Sequence, residues 1–139
     1  MDAGETCRIE IGIPDVRTYL ALRRAGGLSR FAPEAAVEGL GGTLFGVLVK
    51  DGAETVGMGR LVGDGGCFVQ VVDIVVLPNY QGRGLGRAIM QALMDHIEEA
   101  LPPSVYVSLM ADVPADRLYE EFGFRNTAPA TVGMAMKKP

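Results

Sequence analysis

Residues 73–87 read DIVVLPNYQGRGLGR. A run of branched apolar residues ends at Val76-Leu77-Pro78, and the helix-like stretch RAIMQALMDHIEEAL begins at Arg87. Between them lies QGRGLGR, in which glycines alternate with larger residues, two of them arginine. Two phosphate motifs can be tested against this segment. A dinucleotide fingerprint needs a glycine at its sixth position, where this chain has Arg87; a P-loop needs Gly-Lys followed by Ser or Thr, which is absent. What is left is Gln-x-x-Gly-x-Gly after a strand and at a helix start. Such a start presents unpaired N–H groups and a partial positive charge. Gly82, Gly84 and Gly86 lack a Cβ, so the amides from Gly82 through Arg83, Gly84, Leu85, Gly86 and Arg87 can curl around an anion, with Arg83 and Arg87 adding charge at the rim. By spacing alone, a ligand-free strand-to-helix turn is equally open.

The neighbouring segments place this turn. CFVQVVDIVVL, 67–77, is branched and apolar on both faces, the pattern of a central, doubly covered strand. Leu85, Ile89, Leu93 and Ile97 form a stripe of 3.6-residue period, which predicts an amphipathic helix over 84–100, ended by Pro102-Pro103. Upstream, RIEI at 8–11 alternates like a short strand. Pro14 suits a first helical turn, and VRTYLALRRA runs to Gly26-Gly27. PEAAVEGL is a second helix. TLFGVLVK and ETVGMGRLVG pair through Asp51-Gly52 as a hairpin. Downstream come a strand, SVYVSLMA, a short helix, PADRLYEEF, and a final strand near ATVGMAMKK. The order is β-α-α-β-β-β-α-β-α-β, a mixed α/β (α+β) domain in which the 84–100 helix crosses between two parallel strands.

The chain has 139 residues, a net charge of −4 and a pI near 5.0. This predicts one domain, without nucleic acid as its main partner. The basic residues are uneven: Arg8, Arg17, Arg23, Arg24 and Arg30 are five of the 13 and all lie in the first 30 positions. The acidic remainder would suit a cationic substrate. No apolar run approaches the ~18 residues of a membrane span, and MDAGETCRIEIGIP has neither a basic nor an apolar leader region. Cys7 and Cys67 match no metal or redox spacing. The expectation is a cytoplasmic protein with reduced thiols, no metal and no membrane partner.

The stretch from Asp73 to Gly86 strongly resembles the acetyl-CoA motif of the GNAT superfamily of N-acetyltransferases. A second stretch, Leu118-Tyr119-Glu120-Glu121-Phe122-Gly123-Phe124, looks like that family's C-terminal LYEKxGF signature, in the family's order and separation. The resemblance is close over roughly residues 43–126. It implies a mixed, mostly antiparallel sheet of about six or seven strands flanked by about four helices, with the central parallel strands splayed. It also implies direct acetyl transfer from acetyl-CoA to a primary amine. A small-molecule amine is the favoured acceptor; a protein Lys or N-terminus is the alternative, and an idle acyl-CoA-binding module is the rival from another class.

In that reading the pantetheine arm lies in the splay and pairs with backbone groups of Ile74, Val75 and Val76. A backbone N–H near Val75 or Val76 polarises the thioester carbonyl, and residues 81–87 hold the pyrophosphate. Tyr119 falls on the family's tyrosine position, where a phenol of pKa ~10 protonates the departing sulfur. Many members carry Asn where this chain has Asp112, which cannot donate when ionised. Asp112 either contacts the cofactor or caps the following helix. Gln70 occupies the position of a Glu base, leaving Asp73 as the only ionisable side chain in that strand. Burying an acid there is costly unless it is paired, so Asp73 either faces the cleft, as a proton acceptor or ammonium ligand, or pairs with an arginine such as Arg60. The acceptor loop, with Leu28, Arg30 and Phe31, lines a pocket or anchors itself on the core. His96, mid-helix, reads as a surface or satisfied core residue. By analogy with the family, a homodimer sharing an edge at Thr131–Met136 is possible.

Overall fold

The computed structural model of the protein describes residues 6–139. Its contacts divide the chain into two compact units, one ending at Leu109 and one spanning Met110–Pro139.

The first unit is a five-stranded sheet in the order β1-β2-β3-β4-β5 with helices on both faces. Strands β1 (Cys7–Ile11), β2 (Phe45–Asp51), β3 (Glu54–Gly63) and β4 (Phe68–Val76) form an antiparallel meander. Helix α3 (Leu85–Ala100) then crosses to β5 (Tyr106–Leu109), which pairs with β4 in parallel, as the sequence predicts. Helices α1 (Val16–Ala25) and α2 (Pro33–Gly41) precede β2. The Asp15 side chain caps α1 by accepting from Thr18 N–H at 2.8 Å, which also holds the Asp15 carboxyl below its ordinary pKa. Pro14 therefore stands just outside the helix rather than in its first turn.

Alternation along the strands divides the core into two layers. On one face Leu48, Met58 and Val75 pack with Tyr19 and Leu22 of α1 and with Ala36 and Leu40 of α2. On the other, Ile89 and Leu93 of α3 close over Gly59, where a Cβ would stand 2.5 Å from Ile89 Cγ2. Ile89, Met90 and Leu93 are fully buried, so the predicted stripe is the face that α3 presents to the sheet. His96, on the same helix, stacks on Phe45 with ring centroids 3.8 Å apart.

The second unit contains one short helix, α4 (Asp116–Glu120), and turns. The strand expected near 130–138 does not form among the described residues. Val132, Met134 and Met136 alternate like a strand, yet stand exposed. Alternation supplies one apolar face but no partner for the backbone, and without a partner there is no ladder. The sheet thus has five strands rather than six or seven, while the fold class is as expected.

Candidate active site

The sheet opens at the C-terminal end of β4. Strand β5 ends at Leu109, opposite Val71, and β4 continues five residues further, through Val76. Along this overhang β4 also departs from its regular ladder with β3. Met58 faces Val75 and Arg60 faces Val72, so Gly59 alone opposes both Asp73 and Ile74. Two residues against one is a β-bulge, and Asp73 sits in it at φ +61. Beyond the bulge, Leu77 N–H donates to Val56 O at 2.8 Å. The peptide directions of a strand alternate, so Val76 turns its N–H and C=O away from β3, to the side that β5 has left. The Gln81 side-chain amide donates to Val76 O at 3.0 Å and ties the glycine turn to this edge.

A single 3₁₀ turn, Pro78–Tyr80, carries the chain into the glycine segment. Gly82 has φ +77 and Gly84, the N-cap of α3, has φ +79. A Cβ built at either meets nothing within 4 Å. These glycines are thus required by backbone conformation, and the space over them is open. The first bond of α3 runs from Ala88 N–H to Gly84 O at 3.0 Å, so the amides of 85–87 point out of the helix end. No acidic side chain stands in that first turn. Arg83 lies over the Tyr80 ring at 5.2 Å, and Arg87 is exposed. Open space, converging amides, a helix N-terminus and two arginines fit a pyrophosphate.

Asp73 is paired. Its side chain is 5% exposed and accepts from three groups: Arg23 Nη1 at Oδ1, and at Oδ2 Arg60 Nε (2.9 Å) and the Tyr19 hydroxyl (2.7 Å). Burial and this carboxylate raise the Tyr19 pKa above its usual 10. Arg60 also reaches Gly39 O and Thr43 Oγ1, the latter at 2.6 Å. Removing one partner from such a buried group costs about 3–5 kcal/mol, because a charge is left uncompensated. The sequence named Arg60 as a partner but missed Arg23 and Tyr19. Tyr19 and Arg23 stand i, i+4 on α1, a spacing that puts them on one helix face but does not point to Asp73.

The same Arg23 fastens the loop at 28–31. Its Nε and Nη2 donate to Ser29 O at 3.0 and 2.7 Å, and its guanidinium lies 4.4 Å from the Phe31 ring centroid. Leu28 packs against the α1–α2 core, which makes it an anchor; Arg30 and Phe31 are exposed. A groove of about 760 Å³ lies elsewhere on this unit, along α1 between Ile13 and Ala25, with Leu48, Lys50, Glu54 and Leu77 opposite. Leu28, Arg30 and Phe31 do not line it.

In the second unit Tyr119 is half-buried on α4. Burial first, and the nearby Asp112 charge second, raise its pKa above 10. The helix-cap role considered for Asp112 is not observed. Ala115 occupies the N-cap of α4 without a side-chain bond, and Asp112 contributes only its backbone carbonyl, to Ala115 N–H at 2.7 Å. No cluster of His, Cys, Asp or Glu among the described residues could hold a metal, and no described helix is long and apolar enough to cross a membrane.

Comparison with known proteins gives consistent results. A protein of unknown function from meticillin-resistant Staphylococcus aureus superposes with a TM-score of 0.90 at 45% identity, over 95% of this chain and 99% of that one. A GNAT family acetyltransferase from Streptococcus pneumoniae gives 0.78 at 29% identity, over 95% and 98%. The Escherichia coli ribosomal protein bS18 alanine N-acetyltransferase is 37% identical over 68 residues, 44% of this chain and 46% of that protein. An uncharacterized N-acetyltransferase of Porphyra purpurea is 29% identical over 79 residues, 57% and 44% respectively. The chain thus matches a little under half the length of these curated relatives. The acetyltransferase (GNAT) domain family matches residues 25–135, which take in the β4 bulge, the glycine turn and the LYEEFGF segment. With the family model spanning residues 25–135 and the fold shared with these neighbours, the chain belongs to the GNAT acetyltransferase family.

Proposed function

We propose that the protein is an acetyl-CoA-dependent N-acetyltransferase that acts on a primary amine. One observation carries this reading: an open β4 edge runs directly into a glycine turn and helix N-terminus suited to a pyrophosphate. The amides of 82–87, with Arg83 and Arg87, hold the diphosphate, and the β4 edge over Ile74–Val76, through the outward N–H of Val76, aligns the arm that follows. When bound, acetyl-CoA supplies an activated thioester carbonyl and a thiol leaving group. Val76 N–H is the donor that polarises a carbonyl laid along this edge. Tyr119 is the proton donor in this reading: its raised pKa keeps the phenol neutral at neutral pH, with a proton to give. Asp112 belongs to this reading only as a charge near Tyr119.

A small-molecule amine is the favoured acceptor. The chain is acidic overall, which suits a cation, and Arg23 ties the acceptor loop down through Ser29 and Phe31, which favours a compact acceptor over a long peptide. A protein N-terminus is the second reading, supported by the E. coli relative that acetylates a ribosomal-protein alanine. The test is a panel of small amines and of peptides beginning with alanine, incubated with acetyl-CoA while free thiol is followed. Turnover on small amines is expected. Turnover only on peptides replaces the acceptor, and coenzyme A binding without any turnover identifies an idle module.

A further inference from the structure

The bulge residue Asp73 joins three elements that the proposed chemistry uses separately. Arg23 comes from α1, Arg60 from β3, and Asp73 itself from the overhanging end of β4; their side chains are 9%, 8% and 5% exposed. Both carboxylate oxygens are occupied as acceptors, Oδ1 by Arg23 and Oδ2 by Arg60 and Tyr19. A proton acceptor for the incoming amine would have to leave these partners. Asp73 also holds φ +61, a region that Asp enters more readily than most residues but still at a cost. Contacts on three sides hold it there.

The bulge has a mechanical consequence. Two residues of β4 against one of β3 set the register by which Leu77 N–H meets Val56 O and Val76 N–H faces outward. A straight ladder through this point would slip β4 by one residue and turn Val76 N–H toward β3. Arg23 extends the connection to the acceptor loop through Ser29 O, Ser29 Oγ and the Phe31 ring.

We propose that Asp73 is a positioning residue for acetyl transfer: clamped by Arg23, Arg60 and Tyr19, it fixes the bulge that turns Val76 N–H to the open edge and couples that edge to the 28–31 loop. This rests on the acetyltransferase reading. It replaces the proton-accepting role that the sequence suggested for Asp73.

The test uses the full chain, four single variants, Asp73→Asn, Asp73→Ala, Arg23→Gln and Tyr19→Phe, and the double variant that joins Asp73→Asn to Arg23→Gln. The readouts are the pH profile of kcat, KM for acetyl-CoA, coenzyme A affinity by calorimetry, and the backbone amide resonances of Ile74, Val75 and Val76. Asp73→Ala is expected to lower kcat about 100-fold, and Asp73→Asn about tenfold, with the acidic limb of the profile in place. The three amide resonances should move in both. Arg23→Gln added to Asp73→Asn should cost little more than either alone, since both act through one clamp. If the Asp73 variants fail to fold, Tyr19→Phe removes a single hydrogen bond and should show the same pattern at about threefold. Loss of the acidic limb with the amides unmoved would make Asp73 the proton acceptor and overturn the proposal. So would displaced amides with kcat unchanged, which is a purely structural role. A wild-type chain that binds no coenzyme A overturns the acetyltransferase reading and the proposal with it. That failure is distinguishable, because the amide shifts still report whether the clamp sets the bulge.

Discussion

Gly26, at the end of α1, lies directly against Val75 of β4: a Cβ on the glycine would fall on Val75 Cγ2. The helix that leads to the 28–31 loop thus bears on the strand overhang one residue from Val76. Gly59 makes the matching close approach on the other face, to Ile89 and Ile74. Gly26→Ala and Gly59→Ala are each expected to destabilise the fold by about 1–3 kcal/mol through overpacking. Denaturant unfolding of the two variants checks this, and an unchanged midpoint would mean that β4 yields freely.

The glycines of the turn should behave differently. Gly84→Ala meets open space, so its stability cost is confined to the left-handed backbone, about 1–2 kcal/mol. If the proposed reading holds, coenzyme A affinity should fall by more than tenfold, because the new methyl stands in the space assigned to the diphosphate. Calorimetric titration beside a melting curve separates the two effects.

Tyr119→Phe should lower kcat about 100-fold with coenzyme A affinity unchanged. A raised pKa means that the phenol keeps its proton to higher pH than a free tyrosine, and activity that depends on that proton is lost as pH rises through the raised value. Asp112 contributes to that elevation, so Asp112→Asn should move the alkaline limb of the kcat profile to lower pH. Steady-state rates across the alkaline range decide the matter.

Tyr80 gives a prediction independent of catalysis. Its hydroxyl donates to Asp51, chiefly for which its pKa is pushed up to about 12. The folded value lies above the unfolded 10, so the bond's contribution to stability is complete below pH 10 and disappears between 10 and about 12. Spectrophotometric titration should show Tyr80 among the tyrosines that ionise late, and Asp51→Asn should bring that one step back toward 10.

Much of this molecule was readable in advance. The helix at 16–25 and the strand at 54–63 fall where composition and punctuation put them, because each is bounded by glycine or a charged turn. The glycine turn was readable because a helix start following a strand has few chemical uses. The bulge was not. Residues 67–77 are apolar on both faces, so alternation carries no phase, and an extra residue leaves no trace in the pattern. Asp73 was the one charged side chain in that run. Its partners Arg23 and Tyr19 lie 50 and 54 positions earlier, and no local pattern reports contacts at that separation. The tail at 130–138 failed for the opposite reason. Val132, Met134 and Met136 have the alternation of a strand, but pairing is a property of two segments.

The overhanging edge of β4 bears on how such a chain can change. Every residue except proline offers the same peptide N–H, so an edge that works through its main chain places few demands on which side chains it carries. Mutations can accumulate there as long as the strand keeps its shape, and they are filtered by packing rather than by ligand chemistry. Deletions are another matter: loss of one residue between Val72 and Val75 would leave composition nearly untouched yet remove the bulge. The overhang is thus tolerant of spelling and intolerant of length.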